Sequence, residues 1–366
     1  MSRGQRIGYA LAGPGIAIVV AFLISAVIIA LAGINPFSTW STVIDFTTSS
    51  SNLIEIVNRA IPLFLAGLAV AVGFRMNLFN IGVEGQYRLA ACVAAADGGA
   101  ALVPGLLNTL LIVIVAMLVG AVWAGIAGVL RVTRNVNEVV ATIMLNYIAF
   151  NLANWLLNNP FKFQVEGSSN VSTEPIPESA WLEGFEIGGN NLWGFLWIAI
   201  LLGIGYSVVV NRTRFGFDLR ASGENAEAAR ASGVNAKRMI LAAMLISGAL
   251  AGTIGLPILL GTEPHAYDLS FSEGLGFNGI AVALLGRLAP VGMVFGALLF
   301  SFLDIAKGAF QLEGLAPELV IVLQGTILYV AVLADEFMRD KQVKKAQEIA
   351  AARVESQPSD ASEVKA

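Results

Sequence analysis

The sequence predicts an all-α polytopic membrane protein of about ten transmembrane helices. Three observations carry that prediction. The 366 residues are 56% apolar and only 13% charged, with a mean hydropathy of +0.74. Apolar stretches recur along most of the chain, and the basic residues are distributed to one side of them. A soluble domain averages about 45–50% apolar and about 25% charged residues. Half the usual charge cannot coat a soluble surface of this size, which argues against a soluble enzyme or a nucleic-acid binder. The net charge of −4 comes with no basic block in a polar domain. Cys92 is the single cysteine and His265 the single histidine. No internal disulfide, metal cluster or His-dependent catalytic triad is expected from them, and no cofactor or catalytic residue is assigned.

A hydrocarbon core of about 30 Å needs roughly 20 helical residues. In chain order the candidate spans are Ile7–Ala32, Ala60–Gly73, Gln86–Val103, Leu106–Leu130, Val139–Leu157, Leu192–Val210, Met239–Gly261, Gly274–Leu285, Val291–Ile305 and Pro317–Ala334. The first is too long for the apolar region of a signal peptide and has no small-x-small cleavage site before a soluble domain. The third carries Arg88 and Asp97. It is kept because Lys and Arg are retained on the cytoplasmic side. With the N-terminus inside and ten spans alternating, only Arg59, Lys162 and Lys307 of the 22 basic residues fall outside. Without the third span, Arg131 and Arg134 would join them. Both termini are therefore placed in the cytoplasm of a cell with an inner membrane.

Four connections follow. Residues 35–59 form an outer Ser/Thr-rich loop. Residues 158–191 form a long, acidic, proline-bearing outer loop suited to docking a partner. Residues 211–238 form a basic inner loop. Residues 335–366 form a charged cytoplasmic tail, partly disordered, so that the transmembrane body occupies 1–334. In the inner loop, Asn225 is a good N-cap and Glu227 favours the first helical turn. Ala226, Ala228, Ala229 and Ala231 are strong helix formers. Gly233 suits a left-handed end, and Asn235 can cap the next helix. So short a helix is marginal alone. It needs either a groove in a partner or the protein's own spans to pack on.

The stretch Gly216–Asn235 resembles the coupling loop of ABC importer permeases of the ribose-permease-like branch, which carries sugars, nucleosides and branched-chain amino acids. Asn77-Leu78-Phe79-Asn80-Ile81-Gly82-Val83-Glu84-Gly85-Gln86 is similar to the LxNIGxEGQ signature of its nucleoside and simple-sugar members. Gly274–Arg287 is similar to their GxGFxGIAVALLG segment, and Thr142–Tyr147 is a further match. The resemblance covers roughly residues 60–330. It implies contact with a separate ABC ATPase subunit through Gly216, Arg220, Gly223, Asn225, Ala228, Ala229, Gly233 and Asn235. It also implies a second permease subunit, identical or homologous, and an extracytoplasmic solute-binding protein. The chain has no Gly-x-x-x-x-Gly-Lys-Ser/Thr motif of its own.

Polar residues in an apolar body mark either helix contacts or a solute pathway. Asn77, Asn80, Glu84 and Gln86 fall between two spans, beside the breakers Gly82 and Gly85. They read either as an inner turn in water or as the floor of a cavity. Glu84 and Arg88 are spaced to pair on one helix. Tyr147, Asn151, Asn154 and Asn158 share one face of the fifth span, bordered by Asn146, and should face the bundle interior. Asn278 and Gln324 are single candidates of the same kind. Asp304 and Lys307 should pair with each other, and His265 reads as a surface or docking residue. A pathway lined by amides and aromatic rings suits a neutral polar solute, a nucleoside before a sugar such as ribose. An ion-driven secondary transporter is the reading from another class, and it lacks a mid-membrane carboxylate in a clear span.

Overall fold

The computed structural model describes residues 3–164, 170–334 and 337. Apart from Phe337, the expected tail from Asp335 onward lies outside the described residues. The chain divides into two compact units. One is Ser41–Glu313; the other combines Met1–Trp40 with Gly314–Ala366. The second unit holds α1 (Arg3–Leu31) and α14 (Glu318–Ala334). Within it the Trp40 indole stacks at a tilt on Phe22 and donates to Ser25 Oγ at 3.2 Å.

The larger unit contains α3 (Ser50–Arg75), α4 (Val83–Gly99), α5 (Leu106–Arg134), α6 (Glu138–Asn158) and α7 (Phe195–Arg212). After the loop helices α8 (Arg214–Glu224) and α9 (Ala226–Ala231) come α10 (Ala236–Gly252), α11 (Leu256–Gly261), α12 (Leu275–Leu285) and α13 (Pro290–Leu312). The boundary between the units falls within α2 (Pro36–Thr47). Each of the ten apolar stretches contains helix, the seventh broken at residues 253–255 into α10 and α11. Among the described residues six helices are long and apolar enough to cross a membrane, or seven if the bent pair Val19–Leu31 and Pro36–Thr47 counts as one span. The outer loop read at 35–59 is instead mostly helix. Ser49 accepts from the Asn52 amide and starts α3 ten residues before the apolar run, because a capping hydroxyl sets the boundary rather than hydropathy.

The core centres on α3, whose middle residues Leu65, Ala66, Leu68 and Ala69 have no solvent exposure. Helices α5 and α10 approach backbone to backbone. A Cβ on Gly120 would strike the Gly248 carbonyl, and Ala116 and Ala124 flank the contact. Such small-residue crossings are how helices associate where apolar burial supplies little drive. The opposite face of α5 presents Leu110, Leu118, Val122 and Val129 outward, an apolar stripe suited to lipid.

The acidic segment 158–191 is not structureless. It carries a 3-10 turn (Glu178–Ala180) and a hairpin, β1 (Phe185–Ile187) with β2 (Asn190–Leu192), in which Glu186 pairs with Asn191. Gly188 and Gly189, both at positive φ, make its two-residue turn. The segment is stitched to the strand-like stretch after α11: Ser172 bridges both Phe163 and Asp268, and the Thr173 and Ile176 amides donate to Tyr267 and His265. His265 is buried rather than on the surface. Its ring stacks on Trp181 at 3.8 Å and its Nδ1 lies 3.1 Å from the Leu259 carbonyl. At the same end of α3 and α13, Asp304 pairs with Lys307 as expected, and Arg59 joins them.

Candidate functional site

Helices α4 and α12 start inside the bundle. At 1.5 Å per residue they span roughly 25 and 16 Å, too little for a bilayer crossing. The depth of their starts follows from their neighbours. Arg75, at the end of α3, donates to the Leu288 carbonyl just past α12 (3.0 Å). Nine residues back on each, Gly279 packs against Ala66. Helix α12 therefore runs parallel to α3, and its first turn lies roughly 18 Å from the Arg75 end.

The non-helical stretch Met76–Gly82 climbs back from that end toward the same level. Asn77 is exposed at its base, in a left-handed conformation (φ 56°). Asn80 is buried. Its amide and that of Gln86 exchange hydrogen bonds of 3.0 and 2.9 Å, and Asn80 also donates to Ser247 Oγ on α10 (2.9 Å). Ser247 in turn donates to the Ala69 carbonyl of α3 at 2.7 Å. This is not a turn in water: Asn80, Glu84 and Gln86 are at most 2% exposed. Irregular backbone at this depth persists because side-chain amides replace the missing helical partners.

Glu84, in the first turn of α4, does not pair with Arg88. Its two carboxylate oxygens accept the amides of Gly274 (2.8 Å) and Gly276 (2.9 Å), and Oε1 also accepts the Tyr87 hydroxyl (3.1 Å). It is the anion at the N-terminus of α12, where two orphan amides and the helix dipole both favour it. Gly276 has no room for a Cβ, which would lie 2.5 Å from the Glu84 backbone nitrogen. Asn146 of α6 completes the junction, accepting the Gly85 amide (2.9 Å) and donating to the Ile81 carbonyl (3.0 Å). Three of the four stretches that carried the resemblance thus meet at the start of α4. Ser247, Gly274 and Gly276 were not singled out as participants from the sequence. Only their glycine and serine types in apolar surroundings hinted at them.

Arg88 reaches across to Glu273, the residue before the α12 cap, with Nη1 2.9 Å from Oε1, and lies 4.9 Å from the centre of the Phe150 ring. The polar face of α6 corrects the expectation of an inward stripe. The buried face is Thr142, Asn146, Ala149, Ala153 and Leu157, whereas Tyr147, Asn151, Asn154 and Asn158 point outward from this chain. Asn151 and Asn158 return their amides to the carbonyls of Tyr147 and Asn154. Asn278 on α12 is half-buried, as is Gln324 on α14 in the other unit.

The 211–238 loop has the predicted caps. Asn225 accepts from the Glu227 and Ala228 amides, Gly233 is left-handed (φ 87°), and Asn235 accepts from Arg238. The helix α8 before it packs tightly on the chain itself. Gly216 lies against the carbonyls of Val209 and Val210, Arg220 donates to Val210, and Gly223 lies against Arg75 and Met76. Ala229 is buried at 4% exposure against this chain rather than offered to a partner; Ala226, Ala228 and Ala231 face outward. A single residue step separates the two directions: successive residues are about 100° apart. Gly223 packs on the residues that open the climbing stretch, so α8, the end of α3 and the Glu84 junction form one continuous path of contacts.

Comparison with known proteins agrees with this architecture. The family described as branched-chain amino acid transport system / permease component matches residues 52–332. The nucleoside ABC transporter permease protein NupB of Lactococcus lactis is 32% identical over 92% of this chain and 94% of its own length. The guanosine ABC transporter permease protein NupP of Bacillus subtilis is 34% identical over 91% and 96%. A glucose ABC transporter permease protein of Haloferax volcanii is 29% identical over 89% and 88%. No solved structure matches. With a helical membrane architecture, six or seven membrane-length helices among the described residues and a family match over most of its length, this chain belongs to the branched-chain amino acid transport system permease components, a multi-pass membrane transport subunit rather than an enzyme.

Proposed function

We propose that this chain forms the translocation pathway of an ABC importer for nucleosides, together with a second permease subunit. ATP is hydrolysed by a separate subunit seated at α9, and a solute-binding protein delivers the nucleoside from the other side. The observation that carries the choice of solute is similarity to nucleoside and guanosine permeases along nine-tenths of both chains. The outward amides and rings of α6 suit a neutral ring-bearing solute. A sugar is the second reading, favoured by the glucose permease among the relatives. Cells expressing the complete transporter are expected to accumulate labelled nucleoside, with unlabelled nucleosides competing and ribose and glucose not. Competition by sugars alone gives the second reading.

The proposed orientation puts both termini, the tail from Asp335 and the 211–238 loop in the cytoplasm. It rests on the basic residues, of which Arg59 and Lys307 meet at one end of the bundle while Arg75 lies at the other. Glu186→Cys on the exposed hairpin should react with an impermeant thiol reagent in intact cells. Ser232→Cys should react only after permeabilisation. The reverse pattern at either site rejects the orientation.

A further inference from the structure

The Arg88–Glu273 pair stands beside the Glu84 junction. It lies at the level of the α12 N-terminus, roughly 18 Å from the Arg75 end of α3 by helical rise; with that end taken as one face of a hydrocarbon core of about 30 Å, the pair sits near its middle. Arg88 is largely covered, with 11% of its side chain exposed, but the Glu273 side chain is 71% exposed. Among the described residues only one of its oxygens is engaged, by Arg88. Phe277, four residues on, is exposed (48%), and α6, whose Phe150 ring lies 4.9 Å from the Arg88 guanidinium, exposes Tyr147 (66%) beside Phe150 and Asn151 one turn further. Lipid tails do not satisfy such a surface. A carboxylate at that depth needs water, a cation or hydrogen-bond donors, and through Phe150 the ion pair neighbours the helix that exposes a tyrosine and an asparagine amide.

We propose that Glu273, fixed by Arg88, is a solute-contacting and specificity-determining residue of the pathway. Its free carboxylate oxygen accepts from a solute that presents adjacent donors, vicinal hydroxyls or neighbouring ring and amino N–H groups. Phe150, Tyr147 and Phe277 supply the apolar contact for a ring. The pairing keeps the site neutral overall, so a neutral donor-rich solute is favoured over a carboxylate-bearing one, which Glu273 repels. The inference rests on the reading of this chain as a pathway subunit, but not on which solute class it carries.

The test uses the assembled transporter with the native buried Cys92. Glu273→Cys, Asn151→Cys and, as a control on the apolar stripe of α5, Leu118→Cys are treated with a small, charged methanethiosulfonate. Glu273→Cys and Asn151→Cys are expected to react at least an order of magnitude faster than Leu118→Cys, and to be slowed severalfold by saturating nucleoside. Reaction at both sites as slow as at Leu118→Cys overturns the proposal, the patch then being covered by the second permease subunit or lipid. Fast reaction that neither nucleoside nor sugar slows also overturns it. Protection by a sugar and not by a nucleoside supports the Glu273 site while rejecting the nucleoside reading. In parallel, Glu273→Gln, which keeps the shape, should raise the KM for uptake at least several-fold with the assembled complex still recovered; an unchanged KM overturns the specificity role.

Discussion

Replacing Glu84 by alanine is expected to destabilise the centre of the protein. The substitution leaves the amides of Gly274 and Gly276 without their acceptor, whereas Tyr87 keeps the Ser272 carbonyl at 2.7 Å. An orphaned buried donor costs about 1–3 kcal/mol, so the pair costs roughly 2–6 kcal/mol, before the loss of an anion at a helix N-terminus worth about 0.3–2 kcal/mol more. Thermal unfolding of the purified complex in detergent should shift down by several degrees, and uptake should fall with it. Glu84→Gln retains one carbonyl oxygen and should give a clearly smaller shift. Equal stability of wild type and Glu84→Ala would show that α12 does not depend on this cap.

Ala228→Arg is expected to abolish uptake with the permease still folded. The residue faces outward on α9, in the contact proposed for the ATPase. Burying an unpaired charge in a close-fitting groove costs several kcal/mol, and each 1.4 kcal/mol or so is tenfold in affinity. The ATPase should no longer copurify. Ala229→Arg makes the contrast: that side chain meets this chain's own packing, so its effect should appear as lower stability of the permease itself. Normal ATPase recovery and uptake with arginine at 226, 228 and 231 in turn would remove α9 from the interface.

What could be read from the sequence, and what could not, follows the range of the interactions. The caps at Asn225, Gly233 and Asn235 were legible because each is settled within three residues. Asn80, Glu84, Gln86 and Asn146 were legible as polar oddities, and the resemblance grouped three of their segments. Their partners were not: Ser247 lies 167 residues from Asn80, and Gly276 192 residues from Glu84. The i,i+4 spacing of Glu84 and Arg88 suggested a local pair, but two helix-terminal amides and Glu273 outbid it. The face of α6 was legible as a stripe and misread in direction. Periodicity shows which residues share a side, whereas what covers that side depends on neighbours distant in the sequence. Ala229 was misread for the same reason, since four alanines among six residues give no sign of which one turns inward.

The Glu84 cap also sets a timetable for biogenesis. Helix α4 carries Glu84, Arg88 and Asp97 within 17 residues, a poor segment for independent insertion into lipid. The nearer of the two amides that hold its carboxylate, that of Gly274, is 190 residues further along the chain. At about 5–20 residues per second of synthesis, those amides leave the ribosome roughly 10–40 seconds after Glu84 does. For that interval the carboxylate has only the Tyr87 hydroxyl of its native partners, and no bulk water unless α4 waits in the polar shelter of the insertion machinery. The protein's central joint is therefore closed late, by a short helix that is itself too short to anchor alone, and the half-made chain depends on being held until it arrives.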